Sequence, residues 1–422
     1  MKKNHLNHLR MFHQLASVLN KKLFDLNSFV MLSRTLHRFL WFSLGAFSIF
    51  SFDGPLGMLI TVMPLFFEKL QVDEIYLGIP LFVFGLCWAL NSIVISIVFK
   101  RFNRRKIFLL LAYVLLIAMS LNILFLSNFI QFTIVLGLLG IGEAIVWQIA
   151  LLLVSELYSP SSQAIYNGYL FASFNLATII APILSSFLYD AYGSFGFALV
   201  LLIFSSIGFI LVCCIPEHLS YHSISIPNKF HYKLLYHPAI ISSILLSFIS
   251  AGIRASFETI LPLLLRDKFQ IQPKYIGLFY LCITIPATLL CLCTGHLSHK
   301  FSELSLLVIG LLFSYISYGC LLFSNSIPVF IIGLLSLAIS YVCCSTPIPS
   351  FLLQAIHLHP SATHGLFNLF TALGISLYPL VSAYLYTSPL VLFILLSSLS
   401  SIALLALLWT KLAVKWRVST NV

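Results

Sequence analysis

Apolar stretches of about twenty residues, set apart by short polar breaks, repeat along the whole chain. At 1.5 Å rise per residue, about twenty residues cross a hydrocarbon core as a helix. Twelve such spans are predicted: Leu40–Met63, Ile75–Phe99, Ile107–Leu126, Ile130–Val154, Ala164–Tyr189, Gly196–Ile215, Ala239–Leu265, Tyr275–Leu297, Leu304–Phe323, Ile327–Leu353, His364–Tyr386 and Leu390–Trp409. Backbone groups in lipid must be satisfied within their own segment, and the alternating pattern of a membrane barrel is absent. The pattern predicts an all-α polytopic membrane protein. Its organisation reads as a tail 1–39, a six-helix half 40–215, a polar loop 216–238, a second six-helix half 239–409 and a tail 410–422.

Composition agrees. Of 422 residues 60% are hydrophobic and only 8% are charged. So few charges cannot cover the outside of a soluble fold of this size. A soluble enzyme, a disordered chain and a nucleic-acid-binding module are excluded, the last despite a net charge of +11, because the basic residues lie between apolar runs. They also lie unevenly. One side carries the N-terminal tail with Lys2, Lys3, Arg10, Lys21, Lys22, Arg34 and Arg38. It also carries Lys100, Arg101, Arg104, Arg105 and Lys106, then Lys229, Lys233, Lys300, Lys411, Lys415 and Arg417. The other side carries Lys69, Arg266, Lys268 and Lys274. By the positive-inside rule both termini are cytoplasmic, and the compact size suits a bacterial inner membrane. No cleavable signal peptide is expected. In the N-terminal tail Leu6, Leu9, Phe12, Leu15, Leu19, Leu23 and Leu26 recur at helical spacing. That fits an interfacial amphipathic helix, or translation that begins at Met31. The nine cysteines lie in apolar runs without a paired motif and read as buried free thiols. No metal or other cofactor is expected, and a monomer is.

The two halves align. Pro64, Gln71, Tyr76 and Gly78 in the first correspond to Pro262, Gln270, Tyr275 and Gly277 in the second. The basic pairs Lys100-Arg101 and His299-Lys300 follow Gly78 and Gly277 at equal spacing. A parallel six-helix repeat of this kind is the build of two-half transporters.

Three stretches resemble motifs of the major facilitator superfamily. The run Ser96 to Arg105 resembles its motif A, Gly-x-x-x-Asp-Arg-x-Gly-Arg-Arg, with the basic residues kept but Lys100 at the Asp position. Gly295 to Glu303 is the second-half copy, again without the Asp. In the family that Asp joins a charge relay that holds the cytoplasmic side shut, a role Lys100 cannot fill. The same basic run also reads as a plain cytoplasmic anchor. Ala177, Ala181 and Pro182 resemble motif C of proton-coupled exporters with each Gly replaced by a small residue. Motif B in the fourth span has lost its Arg, with Leu136 at that position.

Ionisable residues within spans are functional candidates by default. They are Asp53 in the first span, beside Gly54-Pro55 where the backbone is expected to open; Glu143 in the fourth; and Arg254 and Glu258 in the seventh, on one helical face. An Asp in the first span also resembles the cation-binding Asp of vesicular amine transporters. Trp147 and Gln148 are expected near Glu143. Structural roles remain open for each: a kink or cap at Asp53, an interfacial position for Glu143, a self-neutralising pair at Arg254 and Glu258. His357, His359 and His364 read as solvated loop residues.

The resemblance implies alternating access about a midplane site, with the bilayer, a small-molecule substrate and protons or another ion as partners. Three acids against one arginine favour proton-coupled export of small amphipathic or cationic compounds. The alternatives are import of a metabolite anchored at Arg254, and a transporter-shaped sensor without turnover. No nucleophile elbow, phosphate loop or metal cluster points to an enzyme.

Overall fold

The computed structural model describes residues 36, 38–61, 63, 66–67, 70–101, 104–214, 237–355 and 360–420. The expected tail 1–39 and loop 216–238 lie almost wholly outside them, and His357 and His359 lie outside as well. Residues Gly45–Val422 form one compact unit and Met1–Leu44 another. The larger unit holds every candidate site residue.

The first helix, α1, runs Arg38–Thr61. After a single 3-10 turn at Glu74–Leu77 come α2 (Gly78–Arg101), α3 (Arg105–Leu124) and α4 (Phe129–Leu157). The stretch α5 (Pro160–Cys214) is two helices, the fifth and sixth predicted spans, that meet at a kink at Gly193. There φ is 60° and ψ −148°, a conformation left to glycine. Then follow α6 (Pro238–Phe269), α7 (Pro273–Lys300), α8 (Glu303–Phe323), α9 (Ile327–Ser345), the short α10 (Ile348–Ala355), α11 (Pro360–Leu385) and α12 (Pro389–Thr420). Among the described residues, eleven helices are long and apolar enough to span a membrane, and Ala198–Cys214 is a shorter apolar twelfth. The protein is an all-α polytopic membrane protein with twelve spans in two repeated halves.

Local chemistry sets the ends. Asn128 accepts a hydrogen bond from the Gln131 backbone N–H at the start of α4, and Ser302 does the same for Ser305 at the start of α8. Pro in the first turn opens α6, α7 and α9, where its missing N–H costs nothing. Two expectations change. The helix α1 runs unbroken through Gly54-Pro55, so the backbone beside Asp53 does not open. The last helix continues past Trp409 to Thr420, with no Pro or Gly to stop it.

The repeat is visible in the backbone. Gln71 and Gln270, matched in sequence, are the two described non-glycine residues with left-handed φ, at 53° and 54°. Packing is symmetric too: the second helix of each half, α2 or α7, lies against the fifth of the other, α11 or α5. Glycines permit the close approaches. A Cβ on Gly85 would stand 2.6 Å from the Ala372 carbonyl oxygen, and one on Gly140 would come closer still to that of Phe84. Small residues of this kind let helices associate where lipid removes the hydrophobic drive. On the outer face of α2, Leu90, Ile93, Val94 and Ile97 form an exposed apolar stripe, as a lipid-facing surface requires. Of the nine thiols expected to be buried, Cys291, Cys343 and Cys344 are; Cys87, Cys282 and Cys320 are half-buried and Cys213, Cys214 and Cys293 are exposed, a correction to that expectation; lipid contact suits an apolar thiol as well as a core does.

Candidate functional site

A cavity lies among α1, α2, α4, α5, α6, α9 and α11. Its walls are mainly apolar, with the aromatic side chains of Trp88, Trp147, Phe171, Phe174, Tyr341 and Phe367 among them, and its charged residues are Asp53, Arg254 and Glu258. Spacing along α6 predicts a shared face for Arg254 and Glu258, and they form an ion pair: Arg254 Nε donates to Glu258 Oε1 at 2.7 Å.

Arg254 is clamped further by residues from other elements. Its Nη1 donates to Asn175 Oδ1 at 2.9 Å. Its guanidinium lies between two rings, 4.4 Å from the centroid of Phe174 and 4.2 Å from that of Tyr341. Asn175 is itself fixed, donating to the Phe171 carbonyl and to Cys291 Sγ. Tyr280 donates to the Glu258 carbonyl oxygen at 2.6 Å. The Nη2 nitrogen is left without a hydrogen-bond partner among the described residues.

Asp53 and Glu143 are both fully buried. The edge of the Phe52 ring occupies the space that a Cβ on Gly142 would need, and this brings the two acids together. Their carboxyl groups are close enough to interact electrostatically. Among the described residues, neither Glu143 oxygen has a hydrogen-bond partner, nor does Asp53 Oδ2. Glu143 does not line the cavity; it stands behind Asp53. It lies near the middle of α4 (Phe129–Leu157).

Trp147 lines the cavity as expected, while Gln148 lies behind it. Gln148 donates to Ser96 Oγ at 3.2 Å and accepts from Asn368 Nδ2 at 3.1 Å, tying α4 to α2 and α11. Asn175, Tyr341 and Asn368 carried no sequence signal, since each matters only through partners far away in the chain. His364 is a correction. It is buried on α11, not solvated, and neither ring nitrogen has a hydrogen-bond partner among the described residues.

The motif A stretch behaves differently from the family pattern. Arg105 makes a two-pronged ion pair with Glu156, at the start of α3 and the end of α4. The acid that meets this basic run comes from another helix. Arg104 is exposed in the turn before α3. Lys100 and Arg101 end α2, and His299 and Lys300 end α7; their side chains lie outside the described set. In the second half Ser350 donates to Glu303 at the matching corner. On α5, Ala177 and Ala181 are buried, and a Cβ on Gly57 of α1 would meet Ala181 at 3.3 Å. Pro182 follows within a continuous helix.

The sequence profile of the Major Facilitator Superfamily matches residues 45–376. The chain belongs to the Major Facilitator Superfamily. Solved structures of the family share its fold. The human organic anion transporter MFSD10 (TETRAN) is 15% identical, with a TM-score of 0.71, over 88% of this chain and 99% of that one. A mutant of the nucleoside transporter NupG is 12% identical, with a TM-score of 0.64, over the same shares, 88% and 99%. No curated protein sequence matches the chain. The protein is a Major Facilitator Superfamily transporter and not an enzyme.

Proposed function

We propose that the protein is a proton-coupled exporter of small amphipathic compounds that carry a cationic group. It works by alternating access, with both termini in the cytoplasm. One observation carries the reading. Asp53 and Glu143 are buried side by side with both Glu143 oxygens and Asp53 Oδ2 unpartnered among the described residues, whereas the charge of Arg254 is already met by Glu258. Two adjacent carboxylates in a dry site repel one another, so the pair is a natural holder of one proton. An ammonium group arriving at Asp53 takes over the proton's role, which is the exchange an antiporter needs. The aromatic wall suits both an apolar body and a cation over ring faces.

Import of an anion is supported by the name of one structural neighbour and by Arg254 on the wall. It is disfavoured by the acids that surround that arginine.

The test uses inverted vesicles with an acidic interior, challenged with amphipathic amines and with small anions in turn. Amines should dissipate the pH gradient in the wild type and not in Asp53→Asn. If no amine does so, the exporter reading fails; proton loss that needs the anion loaded inside the vesicles supports the importing rival, and turnover of neither class supports a sensor.

A further inference from the structure

Two polar atoms at the cavity wall are buried and unpartnered among the described residues: Asp53 Oδ2 and Arg254 Nη2. They do not bond to one another. A buried charged group without a hydrogen bond is costly, so such an atom in a native fold marks a place where a partner arrives. The guanidinium cannot turn away to find one. Glu258 and Asn175 hold its other two nitrogens, and two rings hold its faces. The indole N–H of Trp88 is also buried, unpartnered among the described residues and on the same wall, whereas that of Trp147 faces Asp53. The cavity therefore offers one orphan carboxylate acceptor and a set of orphan N–H donors.

A simple cation satisfies Asp53 and leaves Arg254 Nη2 bare. A simple anion satisfies Nη2 and brings its charge beside Asp53 and Glu143. The geometry points to a zwitterionic cargo: an ammonium group on Asp53, a carboxylate on Arg254 Nη2 and an indole N–H, and an aromatic or apolar body against the ring-lined wall. This rests on the proposed function and narrows its substrate class.

Three probes of one shape separate the possibilities: 2-naphthylalanine, 2-(2-naphthyl)ethylamine and 3-(2-naphthyl)propionate. Each is titrated calorimetrically into the full chain in nanodiscs. Charge-assisted hydrogen bonds at both ends predict that the amino acid binds about tenfold or more tighter than either one-ended probe. Asp53→Asn should erase its advantage over the acid. The pair Arg254→Gln with Glu258→Gln, which keeps the buried charge balanced, should erase its advantage over the amine. The inference is overturned if a one-ended probe binds within about threefold of the amino acid, or if none of the three binds. The wild-type comparison decides this even if a variant fails to fold. The pH-gradient assay on the same probes separates the two claims. If the amine matches the amino acid in affinity and dissipates the gradient, export of cations stands and the zwitterion falls. If the amino acid binds selectively and no probe moves protons, the zwitterionic site stands and proton coupling falls.

Discussion

Arg105 and Glu156 bury a charge pair with side-chain exposures of 6% and 17%. Its worth lies less in the attraction than in what either partner becomes alone. Taking away Arg105 leaves Glu156 in a poor dielectric, at a cost of about 3 kcal/mol or more, whereas replacing both by apolar residues of like volume is close to neutral. Arg105→Met should lower the apparent Tm in detergent markedly, and Arg105→Met with Glu156→Leu should restore most of it. Equal melting of all three proteins would mean the pair is ornamental. Asp53, Arg254 and Glu258 were legible as candidates, because an ionisable residue within an apolar run stands out unaided. Their division of labour was not. That Glu143 lies against Asp53, that Asn175 clamps Arg254, and that Glu156 pairs with Arg105 all depend on contacts between helices far apart in sequence.

Helices were legible for a different reason. In lipid, length and apolarity nearly determine an element, and the twelve spans lie close to where hydropathy puts them. The break between the fifth and sixth spans falls at Gly193, where the sequence puts it; the miss is at Gly54-Pro55, which fails to break α1. Helix pairing follows from where side chains are missing. A Cβ at Gly140 would meet the Phe84 carbonyl, a backbone atom that cannot swing aside, so Gly140→Ala must part α4 from α2. A loss of about 1–3 kcal/mol is expected for such overpacking. At Gly319, on α8, nothing lies within 4 Å of a built Cβ. There Gly319→Ala should add up to about 1 kcal/mol through helix propensity alone. Melting curves of the two variants should move in opposite directions; the same sign for both would sink this account of the packing.

For the whole molecule, alternating access makes a claim about which interfaces open. Cys291 is buried on α7 beside Asn175 of α5, between the two halves. Cys344 is equally buried, but between α8 and α9 within one half. Rocking of one half against the other should expose the first and spare the second. In nanodiscs, a water-soluble maleimide should modify Cys291 over time, more slowly when a bound compound holds the halves together. Cys344 should react only after unfolding. Mass spectrometry of labelled peptides reads both; equal rates at the two thiols would argue for general loosening instead of rocking.

The left-handed corners at Gln71 and Gln270 carry a consequence for the repeat. Glycine or asparagine would hold that conformation more cheaply, yet glutamine stands at both. Around them Pro64, Tyr76 and Gly78 match Pro262, Tyr275 and Gly277, and φ at the two corners, 53° and 54°, is all but the same. A corner held alike in letter and in angle marks the register in which one half can be laid over the other.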